Sequence, residues 1–142
     1  MTTIAYNHKD KEIAVDGQAT SGNTVVSTST KKLHRITHGW AAFAGELGCV
    51  EGHDVVNLDR IQGEIIGLVM YDTGQVFEVH INATGRVHMY KLTTDYAVGS
   101  GREYALGALY AGASAKDAVK AAIKYDIYSS GKITVKKMGD LK

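Results

Sequence analysis

Short apolar runs alternate with polar and glycine-rich segments through the first two-thirds of the chain, a pattern typical of antiparallel β-strands. The first two runs, at 4–6 and 12–15, flank the polar segment 7–11 and predict a β-hairpin. Residues 16–23 are mostly small or turn-forming and predict a loop. Further strands are predicted at 25–36, 39–44, 64–71, 76–81, 86–92 and 96–98.

Helical patterns are fewer and lie mainly in the last third. Apolar residues at three- to five-residue spacing predict one short helix within 46–62, and 103–110 predicts another. Ser114 and Asp117 resemble a capping box that opens a third helix, running to Tyr125. A last strand is predicted at 133–137. Strands followed by segregated helices indicate an α+β protein with helices layered on sheets, and we expect a single domain over 1–142.

Composition narrows the class of protein. A chain of 142 residues with 44% hydrophobic and 22% charged residues is typical of one soluble globular domain, and the net charge of +1 predicts neither a nucleic-acid partner nor a membrane surface. The single cysteine, Cys49, cannot form an internal disulfide, which fits a reducing compartment. No signal-peptide pattern or membrane-length apolar run is present, so the cytoplasm is predicted. The six histidines have no metal-ligand spacing, and no metal-ligating side chains are expected.

The first residues carry the most specific chemistry. Methionine aminopeptidase removes Met1 when the second side chain is small, and Thr2 then has a free α-amine beside its hydroxyl. An amine of pKa about 8 can serve as the base for that hydroxyl. The alternative is an ordinary frayed terminus.

Such a nucleophile needs a nearby cation, a carboxylate that orients the cation, and backbone N–H groups aimed at the substrate carbonyl oxygen. Each candidate also has a plainer interpretation as an exposed strand edge, a turn, a strand end, a helix cap or a turn pair. The candidates, in that order, are Lys31 and Lys32, Asp16 before Gly17, Gly45, Ser100 between Gly99 and Gly101, and Asp126 with Ser129.

The order and spacing of these segments resemble the HslV family of bacterial proteasome-like peptidases and, more broadly, proteasome β-type subunits. The resemblance covers nearly the whole chain and is most specific in its first third. Asp126 to Gly131 is more similar to the proteasome β pattern. The other segments that carry the resemblance are Thr2-Thr3-Ile4, Ile13-Ala14-Val15-Asp16-Gly17-Gln18-Ala19-Thr20, Gly22-Asn23-Thr24-Val25, Lys31-Lys32, Phe43-Ala44-Gly45, Val98-Gly99-Ser100-Gly101 and Tyr104-Ala105.

The resemblance implies a role for each matching residue. Thr2 would be the nucleophile, Lys32 the lysine beside it, Asp16 the carboxylate on that lysine, and Gly45 the donor of the oxyanion-hole N–H. The hydrogen-bond cluster around the threonine amine would comprise Ser100, Asp126 and Ser129. Thr20 would pair its backbone with an extended substrate, and Thr30 and Leu47 would lie near the pocket for the substrate side chain. A structural sodium ion held by backbone carbonyls of 126–131 is also possible in such proteins.

The implied fold is the four-layer αββα sandwich of N-terminal-nucleophile hydrolases. Between 48 and 64 the family has two long helices where this chain has room for about one short helix, so the first helical layer is expected to be reduced. The implied function is an ATP-dependent-type threonine endopeptidase subunit acting on polypeptides in a homo-oligomeric ring, with an AAA+ unfoldase as a possible partner. The alternatives are a non-catalytic structural or assembly subunit of a proteasome-like complex and a hydrolase of small amides.

Overall fold

Two antiparallel sheets packed face to face form the centre of the molecule. The computed structural model describes residues 2–22, 24–46 and 55–138. The strands in those residues are β1 (Thr3–Asn7), β2 (Glu12–Val15), β3 (Ala19–Ser21), β4 (Thr24–Ser27), β5 (Leu33–Ile36), β6 (Gly39–Gly45), β7 (Ile65–Tyr71), β8 (Val76–Ile81), β9 (Val87–Lys91), β10 (Tyr96–Gly99) and β11 (Thr134–Lys137), and the helices are α1 (Arg102–Tyr110) and α2 (Ala115–Tyr125).

One sheet has the strand order β10-β1-β2-β11 and the other β5-β6-β7-β8-β9. Alternation along β1 sends Ile4 and Tyr6 into the core between the sheets and Ala5 towards the helices. The strand is therefore buried on both faces, which explains its continuous apolar run. This burial also fixes the positions of Thr2 and Thr3.

The two helices cover the outer face of the four-stranded sheet. Small buried side chains on α2, among them Ala118 and Ala122, pack against Ala5 and Ala14 of the sheet and let helix and strand approach closely. Helix α2 begins as predicted, since the Ser114 hydroxyl accepts a hydrogen bond from the Asp117 N–H at 3.1 Å. The described residues form three layers, one of helices and two of sheet.

Two predictions for the first third were wrong. The predicted loop at 16–23 contains β3, which pairs with β4 in a separate two-stranded ribbon. This ribbon is largely exposed and its side chains are mostly small and polar, so it lacks the alternation that marks a half-buried strand. The predicted strand from 25 to 36 is interrupted, since β4 ends at Ser27 and β5 begins at Leu33.

The outer face of the five-stranded sheet is covered, among the described residues, by the segment 55–62. Val56 and Ile61 are buried there against Phe43 and Val69. The segment contains a single 3-10 turn at Leu58–Arg60 where a short α-helix was predicted, and the remainder of that predicted helix, 47–54, lies outside the described residues. None of the described helices has the length and apolar character needed to cross a bilayer.

Candidate active site

Thr2 lies at the start of β1, where pairing with β10 holds its backbone in place. The Thr2 carbonyl accepts a hydrogen bond from the Ser100 N–H at 2.8 Å, and the Ser100 hydroxyl lies 3.4 Å from the same oxygen. The residue is only 3% exposed. Thr2 is therefore an ordered, buried residue, which contradicts the frayed-terminus alternative.

Lys32 joins Thr2 to Asp16. Its ammonium nitrogen lies 2.9 Å from the Thr2 hydroxyl oxygen and 2.9 Å from the Asp16 carboxylate, and the side chains of Lys32 and Asp16 have no exposed surface. The Lys32 carbonyl accepts a hydrogen bond from the Phe43 N–H at 2.9 Å, so its backbone is fixed against β6. The neighbouring Lys31 is exposed. Only Lys32 contributes to this cluster.

Asp16 is held by several donors at the end of β2. In addition to Lys32, it accepts hydrogen bonds from the Thr3 N–H at 3.1 Å and the Ser130 N–H at 3.0 Å. Burial lowers the pKa of Lys32 below its ordinary value, and the charge and hydrogen bond of Asp16 partly counter that shift. The Asp16 carboxylate therefore holds the Lys32 side chain in position and favours its protonated form.

A second polar cluster lies on the other side of Thr2. The Asp126 carboxylate accepts hydrogen bonds from the hydroxyls of Ser100 at 2.6 Å and Ser129 at 2.7 Å, and from the Tyr128 N–H at 3.2 Å. Burial pushes the pKa of Asp126 upwards, but these hydrogen bonds outweigh it and the pKa lies below its ordinary value. Asp126 is therefore a carboxylate at neutral pH.

Thr3 links the second cluster to β1 and was missed in the sequence. Its hydroxyl lies 2.6 Å from the Ser129 hydroxyl, and its N–H binds Asp16. A Thr-Thr pair near the start of the chain was the only signal available, because the contacts of Thr3 depend on strand pairings with distant residues. Thr3 thus contacts both polar clusters.

A pocket of about 490 Å³ opens over Thr2. Gly45 and Ser100 line it together with Thr2, and Arg102 and Glu103 of the exposed first turn of α1 form part of its rim. Ala44 and Ile66 supply an apolar wall. Thr2 and Gly45 thus line the same pocket.

Gly99 is one of the positions where the site requires glycine. Its φ of +100° is in the left-handed region, and a Cβ there would lie 1.9 Å from the Thr2 carbonyl oxygen. We expect Gly99→Ala to lower the free energy of unfolding by about 1–3 kcal/mol because of the unfavourable φ, and to displace Thr2 as well. The midpoint of urea unfolding measures the first effect.

Gly107→Ala is the matched control. A Cβ at Gly107, within α1, meets nothing within 4 Å, so alanine should leave stability unchanged or raise it by up to about 1 kcal/mol. Equal effects of the two substitutions would show that contact with Thr2 does not constrain Gly99.

The remaining predicted site residues are dispersed. Thr20 is exposed on β3, and Thr30 lies beside Asp16, since its N–H donates to the Gly17 carbonyl at 2.9 Å. Neither is among the residues that line the pocket over Thr2. Leu47 lies outside the described residues, as does Met1.

No group of metal-ligating side chains occurs within 2–22, 24–46 and 55–138. In the turn expected to bind sodium, the carbonyls of Asp126 and Ser130 accept backbone hydrogen bonds from Ser129 and Gly17. Each oxygen keeps a second lone pair, so both fit as sodium ligands.

Comparison with known proteins gives structural matches alone. No protein-family model and no curated protein matches the sequence. The structure is similar to HslV from Trypanosoma brucei, with a TM-score of 0.65 and 22% identity over 95% of this chain and 98% of that one. It has the fold of HslV. It is also similar to Thiobacillus denitrificans BPH, with a TM-score of 0.63 and 20% identity over 96% of this chain and 97% of that chain. At identities this low, the similarity shows a shared fold and nothing further.

Proposed function

We propose that this protein is an N-terminal threonine peptidase whose nucleophile is Thr2 after removal of Met1. The observation that carries the proposal is the contact of the Lys32 ammonium with both the Thr2 hydroxyl and Asp16, each at 2.9 Å, in a buried site. A fully buried lysine is rare unless it is paired, and one directed at a terminal hydroxyl fits activation of that hydroxyl.

The reaction begins with transfer of the Thr2 hydroxyl proton to its own α-amine, directly or through a water molecule. Lys32 donates a hydrogen bond to the hydroxyl oxygen and stabilises the negative charge that develops there. Asp16 keeps Lys32 in position. The oxygen then attacks the carbonyl carbon of a peptide bond.

The tetrahedral intermediate places its oxyanion at the Gly45 N–H, in the wall of the pocket that contains Thr2. Its collapse breaks the C–N bond, and the proton held by the amine passes to the leaving nitrogen. An ester on Thr2 remains. Water attacks that ester, releases the carboxylic acid and restores the hydroxyl.

The cluster of Asp126, Ser100 and Ser129 positions the amine. The hydroxyls of Ser100 and Ser129 both donate hydrogen bonds to the Asp126 carboxylate, and the Ser100 hydroxyl also lies near the Thr2 carbonyl. The negative charge of Asp126 favours the protonated amine that forms in the first step. A sodium ion bound by the carbonyls of Asp126 and Ser130 would stabilise the turn that contains Asp126 and Ser129.

Several broader features belong to the proposal. The complete domain would be a four-layer αββα sandwich with a reduced first helical layer, located in the cytoplasm. Copies of the chain would form a homo-oligomeric ring that encloses the Thr2 sites, with polypeptide substrates delivered by an AAA+ unfoldase. Mass measurement in solution that gave only monomer would contradict the ring.

Intact-mass spectrometry with a threonine-directed inhibitor tests the proposal directly. The purified chain should lack one methionine, and an epoxyketone or boronate should add to it once, with the adduct located on Thr2. Both reagents need a hydroxyl nucleophile, and the epoxyketone also needs the neighbouring free amine.

Insertion of a lysine between Met1 and Thr2 provides the control. Methionine aminopeptidase does not act before a large residue, so the epoxyketone should not label this chain. A native chain that keeps Met1, or one that loses it and takes up neither reagent, would refute the peptidase and favour a non-catalytic subunit.

A further inference from the structure

A second pocket of about 470 Å³ lies beside the pocket over Thr2 and shares Gly45 and Ile66 with it. Its lining residues come from β6, β7, β8 and β9 and from the positions beside those strands. Strand β10 is the edge of the four-stranded sheet, and its Tyr96 is hydrogen-bonded to Glu78 of β8. His80 of β8 and Tyr90 of β9 are exposed.

Strand register connects the two pockets in a straight line. Ala44, Ile66, His80 and His88 lie opposite one another across β6, β7, β8 and β9. With neighbouring strands about 4.8 Å apart, the two histidines lie roughly 10–14 Å from Ala44. An extended peptide covers that distance in about three or four residues at ~3.3 Å each. One peptide can therefore occupy both pockets.

The second pocket is chemically suited to a basic side chain. Ile66 gives it an apolar surface, and the exposed residue Glu64 supplies a carboxylate at its edge. Ile65 and Ile81 also line it, but their side chains are buried on the opposite face of the sheet. No salt bridge involves Glu64 among the described residues, and none of the residues that line the pocket is lysine or arginine. The other nearby carboxylate, Glu78, is already paired with His80 at 3.1 Å.

Lysine and arginine have an aliphatic stem that packs on apolar surface and a charged head that needs an anion. Ile66 can contact the aliphatic stem and Glu64 the charged head. An acidic side chain would instead bring like charges together at Glu64, because the pocket contains no fixed positive charge to oppose them.

We propose that this second pocket binds a lysine or arginine side chain of the polypeptide substrate, three or four residues from the bond that is cleaved, with Glu64 as the specificity-determining residue. The inference rests on the proposed peptidase function for its biological meaning. Binding in the pocket itself does not require Thr2 chemistry, which allows a separate test.

The test measures peptide binding by fluorescence anisotropy with the full chain carrying Thr2→Ala, so that no peptide is cleaved. Fluorescently labelled alanine hexapeptides carry one arginine, one glutamate or one norleucine at each position in turn. We expect the best arginine peptide to bind about tenfold more tightly than its norleucine counterpart, and the glutamate peptide to bind more weakly than both.

Glu64→Gln should reduce the arginine preference to about threefold or less, and Glu64→Lys should reverse it in favour of glutamate. Asp117→Asn is the control, because Asp117 is an exposed carboxylate on α2 that lines neither pocket, and its loss should leave the preference intact. Equal binding of the three peptides, or an arginine preference that Glu64→Gln leaves unchanged, would overturn the inference. Failure of epoxyketone labelling with an intact arginine preference would refute the peptidase alone.

Discussion

Replacing Thr2 with alanine should abolish peptidase turnover and covalent labelling, with a fall in kcat of about 10³-fold or more. Alanine keeps the small second side chain that allows Met1 to be removed, so the free amine remains and only the hydroxyl is lost. Lys32 would then have no nucleophile to contact. Turnover of a fluorogenic peptide and the mass of the inhibitor-treated chain both measure this loss.

Thr2→Ser is the informative companion to that substitution. Serine also permits methionine removal and restores a hydroxyl beside the amine, so labelling should return, with a lower rate because the missing methyl group leaves the side chain freer to rotate. Both variants should unfold at urea concentrations close to that of the parent. Unchanged turnover in Thr2→Ala would assign the activity to another group or to a contaminant.

Replacing Lys32 with methionine should have the largest effect on stability. Methionine fills much of the space but leaves the Asp16 carboxylate buried without its cation, and breaking a buried ion pair in this way costs about 3–5 kcal/mol. Turnover should fall by about 10²-fold or more as well, because the Thr2 hydroxyl loses the donor 2.9 Å away. Urea unfolding and peptide turnover give the two values.

A double variant and an exposed pair provide the controls. Adding Asp16→Asn to Lys32→Met removes the buried carboxylate that has lost its cation. The double variant should therefore lose less unfolding free energy than the two single variants lose together, and it should remain inactive. Lys120→Met disrupts the exposed pair of Lys120 with Asp117, 3.8 Å apart, and should have little effect. Similar losses at positions 32 and 120 would contradict a special role for the buried pair.

The single variant Lys32→Met should also change how the free energy of unfolding depends on pH in the alkaline range. Burial lowers the pKa of Lys32, so between the lowered value and the ordinary one the unfolded chain binds more protons than the folded chain. Lys32 therefore makes stability increase as pH rises through that interval. The difference in unfolding free energy between the parent and Lys32→Met should accordingly widen with pH there.

Local pattern was sufficient for much of the fold. The hairpin of β1 and β2, the strands β6 to β9 and the helix that begins after Ser114 all follow from short-range alternation, turn glycines and capping residues, and the structure confirms them. The ribbon of β3 and β4 escaped prediction because its exposed side chains carry no apolar signal.

The site was accessible from sequence only in part. The residue pattern alone made Lys31 and Lys32 equally good candidates for the cation beside Thr2, and the resemblance to the HslV family selected Lys32. Their different burial results from the way the chain enters β5, which no local pattern records. Thr3 went unnoticed for the same reason, since its two polar contacts lie 13 and 126 positions away.

The sequence by itself therefore determined the order of the elements, the small residue after Met1 and the residue types that a threonine nucleophile needs. Tertiary structure alone decided that Thr2, Asp16 and Lys32 meet in one buried cluster and that a second pocket lies beside the pocket over Thr2. The physical reason is that local pattern controls backbone conformation over a few residues, whereas strand pairing and the packing of two sheets depend on contacts between distant segments.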